Sequence, residues 1–149
     1  MHRADESGAE RAGGERQQQP PPPPQPQPPQ WPPDTGRAAL VRLRRFGGDD
    51  LVRDMSAILL EDVPTRLAAA RRGARAGDAR AVELAVHSMK SSCAQFGADA
   101  VASLCLTAER AARAGELGAL PALLDEIERS FALFRRWLER EVALRTERE

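Results

Sequence analysis

The sequence predicts an all-α fold: an antiparallel up-down-up-down four-helix bundle with a short N-terminal helix, preceded by a disordered Pro/Gln-rich N-terminal tail. Apolar residues recur at three- and four-residue spacing through most of the chain that follows the tail. Breaks of a few residues, each containing glycine, separate these periodic runs, which makes consecutive helices antiparallel neighbours. No segment alternates apolar and polar side chains in the manner of a strand.

The tail is predicted to cover residues 1–34, and the bundle domain residues 35–149. A run of glutamines at 17–19, a run of prolines at 20–24 and a Gln/Pro alternation give the tail little apolar surface to offset its ordering entropy. The prolines favour an extended polyproline II form. The tail is therefore interpreted either as a plain spacer or as a ligand for an aromatic groove on a partner protein.

The first two helices are predicted at residues 36–46 and from 49 to about 75, with Gly47-Gly48 as the break between them. Pro64 lies inside the second run and predicts a kink or a division there. The positions expected to face the core are Leu40, Leu43 and Phe46 in the first helix, and Leu51, Met55, Ile58, Leu59, Val63, Leu67 and Ala70 in the second.

Three more helices follow after Ala76-Gly77-Asp78, which reads as a glycine stop and an aspartate N-cap. They are predicted from Ala79 to about Phe96, from Ala98 or Asp99 to Gly115, and from near Leu117 past Leu138. The last has the four-three spacing of a bundle seam. The predicted core positions are Ala85, Met89 and Phe96; Val101, Leu104, Cys105, Ala108 and Ala111 or Ala112; and Leu120, Leu124, Ile127, Phe131, Phe134 and Leu138.

Composition excludes several broad functions. The chain has 149 residues, 42% hydrophobic but only 4% aromatic, which predicts one domain with an aliphatic core. Its formal net charge is zero, so we expect no general attraction to nucleic acid or to an anionic membrane surface. Neither a signal peptide nor a long apolar run is evident, and we expect a cytoplasmic monomer.

Metal and thiol chemistry are not indicated. Cys93 and Cys105 both fall at core phases of their helices, so they are interpreted as small buried apolar residues rather than redox groups. The chain has no C-x-x-C, no H-E-x-x-H and no Cys/His cluster, and we expect no metal site.

One histidine stands apart from this core pattern. His87 lies about 180° from the centre of the buried stripe of its helix. Arg80, Glu83, Lys90 and Ser91 fall within roughly 60° of it on the same side. Lys90 is the only lysine in the chain, and the only other histidine is in the tail. Periodicity alone is also compatible with an ordinary solvated helix face.

The chemistry of an exposed imidazole suggests a role for this face. Neutral imidazole is a good nucleophile near neutral pH, and a phosphoryl group transferred to it carries nearly two negative charges. Lys90, one helical turn away, is placed to stabilise that charge. Ser91 and Ala94 keep the same face low enough for another protein to approach, and Leu84 suits a docking patch.

Missing features narrow the chemistry further. The residue after His87 is Ser88, so no adjacent carboxylate is offered as the general base of an autophosphorylating site. There is no Gly-rich phosphate loop, and no acidic cluster follows a strand. We therefore expect a phosphotransfer intermediate rather than an enzyme that binds ATP: the histidine receives a phosphoryl group made elsewhere and passes it on.

Several motifs stand in a recognisable register over about residues 35–138. They are Gly47-Gly48-Asp49, Leu60-Glu61-Asp62-Val63-Pro64, Ala76-Gly77-Asp78, His87-Ser-Met-Lys90-Ser91-Ser92, Phe96-Gly97-Ala98, and Leu104-Cys105 with Glu109. This pattern resembles the histidine-containing phosphotransfer (HPt) domain of multistep phosphorelays. The resemblance implies that His87 accepts phosphate from a receiver-domain aspartate and returns it to another, assisted by Lys90. It implies no cofactor of its own, Mg²⁺ on the partner, and as partners the receiver domains of hybrid histidine kinases and response regulators.

Two positions depart from the family pattern. The family often has glycine where this chain has Ser91, which bears on the rate of transfer or the range of partners. The Leu-Glu pair common later in the family is Ala108-Glu109 here, which is interpreted as a matter of packing rather than chemistry.

Other roles are predicted around the histidine, each beside a plainer alternative. Arg80, Glu83, Leu84, Ser91 and Ala94 are candidate partner-docking residues, and Gly97 is expected to be a helix C-cap in the left-handed region. Glu83 is a candidate hydrogen-bond partner for the second ring nitrogen of the histidine, or simply a solvent-facing acid. Arg80 is a candidate source of positive potential, or an ordinary surface arginine.

Two other classes of function compete with phosphotransfer. The first is a docking or scaffold module that binds receiver domains, or another helix, without phosphoryl chemistry. The second is a carrier of a small molecule or a metal, which the lack of convergent polar groups in the predicted core argues against.

Overall fold

A computed structural model describes residues 34–146, so the predicted tail, except for its last residue, lies outside the described part of the chain. The helices are α1 (Asp34–Ala76), α2 (Ala79–Gln95), α3 (Asp99–Arg113) and α4 (Leu120–Thr146), with a 3₁₀ turn at Leu117–Ala119. Each helix packs against the next, and α4 packs back against α1. The predicted all-α bundle is confirmed for residues 34–146. None of its helices is long and apolar enough to cross a membrane.

Helix α1 consists of two segments joined at the predicted glycine break. Gly47 (φ −151°, ψ 16°) and Gly48 (φ 70°, ψ −164°) have non-helical backbone angles, which separates residues 34–46 from residues 49–76. The positive φ of Gly48 belongs to a region that side chains with a Cβ rarely adopt. Pro64 lies inside the second segment without dividing it.

The core is aliphatic at most positions and matches the predicted seam of α4. All six seam positions are buried, and Trp137 is buried beside them. Phe134 lies between Phe131 and Trp137, with ring centroids 6.5 Å and 5.5 Å away respectively. The core-facing residues of α2, which hold that helix against the bundle, are Val82, Ala85, Val86, Met89 and Cys93.

Two predicted core positions are wrong. Phe46 is 87% exposed, because it is the last residue before the glycine break, where the helical phase is lost. Ile58 is 61% exposed, because the buried stripe of the second segment runs one position later, through Leu59. The buried positions of that segment are Val52, Ser56, Leu59, Val63, Leu67, Ala70 and Gly73.

The turns that connect α2 to its neighbours have the predicted chemistry. Asp78 caps α2, since its Oδ1 accepts a hydrogen bond from the backbone N–H of Ala81 at 3.0 Å. At the other end Gly97 has φ +69°, and the N–H of Ala98 donates to the carbonyl oxygen of Cys93 at 2.9 Å. This turn brings α3 back antiparallel to α2.

The start of α1 packs directly onto the α2–α3 turn. The Oγ1 of Thr35 donates to the carbonyl oxygen of Gly97 at 2.9 Å. A Cβ added to Gly97 would clash with the carbonyl oxygen of Thr35, a backbone atom that cannot move aside alone. The glycine at position 97 is therefore required both by its backbone angle and by the close approach of α1.

We expect Gly97→Ala to lower the free energy of unfolding by about 2–5 kcal/mol, combining a left-handed backbone penalty of about 1–2 kcal/mol with overpacking of about 1–3 kcal/mol. The matched control is Gly115→Ala, because Gly115 has φ +74° but no atom within 4 Å of an added Cβ. The control should show the backbone penalty alone. Urea unfolding followed by circular dichroism measures both, and equal losses would contradict the packing argument.

Candidate functional site

His87 lies on the outer face of α2, opposite the side chains that pack into the core. Its side chain is 55% exposed, whereas the neighbouring Val86 is fully buried. The predicted orientation of this ring toward solvent agrees with the structure.

A buried carboxylate on α3 joins the histidine to the lysine. Oε1 of Glu109 lies 2.8 Å from Nδ1 of His87, and Oε2 accepts a hydrogen bond from Nζ of Lys90 at 2.5 Å. The Glu109 side chain is only 2% exposed, and that of Lys90 is 27% exposed. The two residues that the sequence places one turn apart on α2 therefore share one acceptor on the neighbouring helix.

The charge on Glu109 determines which ring nitrogen of His87 carries the proton. The hydrogen bond from Lys90 is the main cause that lowers the pKa of Glu109, and the bond with His87 and the charge of Arg113 act in the same direction against the effect of burial. An ionised carboxylate can only accept hydrogen bonds, so Nδ1 must be the donor. In the neutral ring, Nε2 then holds the lone pair.

A second layer of ion pairs surrounds this carboxylate. Nη2 of Arg113 donates to Oε1 of Glu109 at 2.9 Å, and its Nε donates to Oε1 of Glu83 at 2.7 Å. Arg80 lies on the far side, with Nη1 3.0 Å from Oε2 of Glu83. Hydrogen bonds from Arg113 and then Arg80 lower the pKa of Glu83. Positive and negative side chains therefore alternate in one network, in the order Arg80, Glu83, Arg113, Glu109 and Lys90.

The structure corrects two interpretations made from the sequence. The suggested bond between Glu83 and the second ring nitrogen is wrong, because Glu83 pairs with Arg113 and Arg80 while Glu109 occupies that place. The Ala108-Glu109 pair bears on more than packing, because Glu109 contacts both His87 and Lys90. A signal was present in the sequence, since Glu109 lies at a core phase of α3, and a buried acid is rarely found without partners.

The remaining candidate docking residues surround the histidine on the outer face of α2. Leu84 is 54% exposed, and Ser91 and Ala94 are also exposed. The hydroxyl of Ser91 donates to the carbonyl oxygen of His87 at 3.3 Å, so it is directed at the helix backbone. The surface beside the ring is thus formed by one large apolar side chain and two small ones.

Other reactive groups in the described chain are not arranged for chemistry. Between residues 34 and 146, no three His, Cys, Asp or Glu side chains lie together as metal ligands. Cys93 and Cys105 are buried, and burial is the main cause that raises the pKa of each thiol to about 12. A thiol that stays protonated at neutral pH is a poor nucleophile.

Comparisons with known proteins identify relatives of this chain. Residues 54–140 match the family model described as the Hpt domain. The chain is also similar to the crystal structure of histidine-containing phosphotransfer protein B (HptB) from Pseudomonas aeruginosa PAO1. The two are 31% identical, the match covers 71% of this chain and 91% of that chain, and the TM-score is 0.66. A comparison with curated proteins gives no significant match.

We expect Glu109→Gln to lower the free energy of unfolding by about 2 kcal/mol near neutral pH, because it removes the charge from a buried acceptor of charged hydrogen bonds. The pKa of Glu109 is depressed in the folded protein, so its stabilisation is present at neutral pH and is lost as the pH falls through that depressed pKa. The difference in free energy of unfolding between wild type and Glu109→Gln should therefore become smaller as the pH falls.

Urea unfolding at several values from about pH 7 to about pH 3 measures this gap. Glu126→Gln, at an exposed position on α4, is the control for loss of one carboxylate charge. A gap that stays constant over the whole range would contradict the role given to the ionised carboxylate.

Proposed function

The chain belongs to the Hpt domain family, whose members are histidine phosphotransfer intermediates in phosphorelays, and on this premise we propose a specific reaction. His87 accepts a phosphoryl group from the aspartyl phosphate of one receiver domain and passes it to an aspartate of another. The observation that carries the proposal is the bond between Nδ1 of His87 and the buried carboxylate of Glu109.

That bond leaves Nε2 of His87 free to attack, and the phosphoryl group is transferred in one step. The lone pair of Nε2 attacks phosphorus, and the Nε2–P bond forms as the aspartyl O–P bond breaks and leaves its electron pair on the aspartate carboxylate. Nε2 carries no proton, so the step needs no general base, which agrees with the absence of a carboxylate at Ser88. Nδ1 keeps its proton, and Glu109 stabilises the positive charge that develops on the ring.

The same contacts serve the return step. A phosphorylated ring that keeps its Nδ1 proton is cationic, and a cationic ring leaves phosphorus more readily than a neutral one would as an anion. Glu109 supports that cationic form whichever receiver domain is docked. The arrangement therefore fits an intermediate that passes the group on rather than one that stores it.

Lys90 is proposed to bind the transferred group. Its ammonium lies at the same carboxylate as the histidine ring, one helical turn along α2. A phosphoryl group carries nearly two negative charges, which an adjacent ammonium stabilises both in the product and during transfer. No cofactor of its own is proposed for this chain, and the Mg²⁺ that assists at the aspartyl phosphate belongs to the receiver domain.

The partners proposed are receiver domains of hybrid histidine kinases and of response regulators. Leu84 provides an exposed apolar contact on the side of α2 that carries His87, and Ser91 and Ala94 leave room for a partner to approach the ring. An exposed large apolar residue beside small ones is a common composition for a docking patch.

We expect His87→Gln to abolish uptake of label from a phosphorylated receiver domain supplied with Mg²⁺, because the nucleophile is lost. The matched control is His2→Gln, which changes the only other histidine of the chain. Wild type and control should gain label that is acid-labile and base-stable. Wild type that binds the receiver domain but takes up no label would instead support the scaffold alternative.

We expect Leu84→Ser to weaken binding of a receiver domain about tenfold, a loss of about 1.4 kcal/mol, because Leu84 is the large apolar contact beside His87 and a few such contacts carry most of the energy of an interface. Leu133→Ser is the control, since Leu133 is 41% exposed but lies on α4. Isothermal titration calorimetry measures both affinities. If Leu133→Ser weakens binding as much as Leu84→Ser does, the docking face does not lie on α2.

A further inference from the structure

Lys90 has two functions that conflict, since the ammonium proposed to bind the phosphoryl group is already bound to Glu109. We propose that Lys90 exchanges Glu109 for the phosphoryl group when His87 is phosphorylated, and that Arg113 keeps Glu109 charge-paired after the lysine has left. This inference rests on the proposed function and adds Arg113 to it as a positioning residue.

The two oxygens of the Glu109 carboxylate divide its partners in a way that permits the exchange. Oε2 accepts the hydrogen bond from Lys90, whereas Oε1 lies within 2.9 Å of both Nδ1 of His87 and Nη2 of Arg113. Departure of the lysine therefore removes the bond at Oε2 and leaves both bonds at Oε1 in place. The orientation of the histidine ring is preserved through the exchange.

The burial of Glu109 makes a remaining cation necessary. A carboxylate whose side chain is 2% exposed is stable in its ionised form only when it is paired and hydrogen-bonded. Before transfer the histidine ring is neutral, so without Arg113 the lysine would be the only cation bonded to Glu109 and could turn to the incoming phosphoryl group only by leaving that charge unpaired. The guanidinium of Arg113 reduces this penalty and so makes Lys90 available to the phosphoryl group.

Arg113 and Lys90 differ in how firmly they are held. Separate nitrogens of Arg113 bond to Glu109 and to Glu83, and Glu83 is paired in turn with Arg80. A planar guanidinium shared between two carboxylates is fixed in direction. Arg113 is the more exposed of the two, at 59% against 27% for Lys90, but Lys90 ends a flexible four-carbon chain and bonds to one oxygen of Glu109 only. Lys90 is therefore the residue suited to move.

The charges of the network agree with this division of roles. Lys90, Arg113 and Arg80 carry three positive charges against the two negative charges of Glu109 and Glu83, a net charge of plus one facing the incoming phosphoryl group. Removing the charge of Arg113 makes the network neutral. It also holds Lys90 more firmly at Glu109, since Lys90 is then the only cation bonded to the carboxylate until transfer makes the histidine ring cationic.

The chain's single lysine allows a direct test. Lysine labelled with ¹⁵N at Nζ gives one side-chain ammonium signal from the full chain, because Lys90 is its only lysine. Phosphoramidate, a small donor that requires no docking, supplies the phosphoryl group. We expect the Lys90 signal to shift on phosphorylation of wild type and to shift much less in Arg113→Gln. Arg113→Lys keeps the charge but adds a second ammonium signal, which the double variant Lys90→Gln/Arg113→Lys identifies, and the remaining Lys90 signal should regain most of the shift.

A second measurement follows the distribution of the phosphoryl group between the protein and a receiver domain. In Arg113→Gln the equilibrium should move about tenfold toward the receiver domain, which is the size expected for losing one charged hydrogen bond. Arg110→Gln removes the same charge from an exposed position three residues earlier on α3 and should behave like wild type. Circular dichroism checks that each variant is folded.

The outcomes separate the two proposals. If wild type is phosphorylated at His87 but its Lys90 signal does not move, the lysine exchange is wrong. If Arg113→Gln matches Arg110→Gln in both measurements, the assignment to Arg113 is wrong while the proposed function stands. If neither phosphoramidate nor a phosphorylated receiver domain labels His87, the proposed function fails, and this inference fails with it.

Discussion

One buried carboxylate, that of Glu109, is the constraint on which the site depends. Its position between α2 and α3 is tolerable only because hydrogen-bond donors from both helices converge on it. Meeting that requirement fixes the tautomer of His87, brings Lys90 beside the ring and aligns Arg113 behind both. A solvent-exposed carboxylate at the same distance from His87 would hold neither this tautomer nor the two cations strongly, because water would compete for its lone pairs.

The bundle contributes by holding the two helices that meet at this carboxylate. The inner face of α2 packs in the core, so its outer face has a fixed direction. The turn at Gly97 sets the register of α3 against α2, and the start of α1 closes over that turn through Thr35. Features far from His87 thus fix the geometry at His87, although they take no part in its chemistry.

Much of the fold follows from local sequence, whereas the site follows from it only in part. The seam of α4, the cap at Asp78 and the exposure of His87 depend on helical phase and on neighbouring residues, and periodicity predicts them. Phe46 was misplaced because the phase is lost at the Gly47-Gly48 break. The partnership of His87 with Glu109 joins two helices across 22 residues, and a one-dimensional pattern indicates which face a residue lies on but not its partner.

The spacing of the contacts also bears on how the molecule assembles. The bond from His87 to Glu109 closes a loop of 22 residues within a pair of adjacent helices, whereas the bond from Thr35 to Gly97 closes one of 62. On chain-entropy grounds the shorter closure is favoured by about 0.9 kcal/mol. The α2–α3 hairpin therefore carries the reactive centre as a unit that is local in sequence. Packing of the N-terminal segment of α1 onto the Gly97 turn closes the longer loop, so it is disfavoured as an early step of folding.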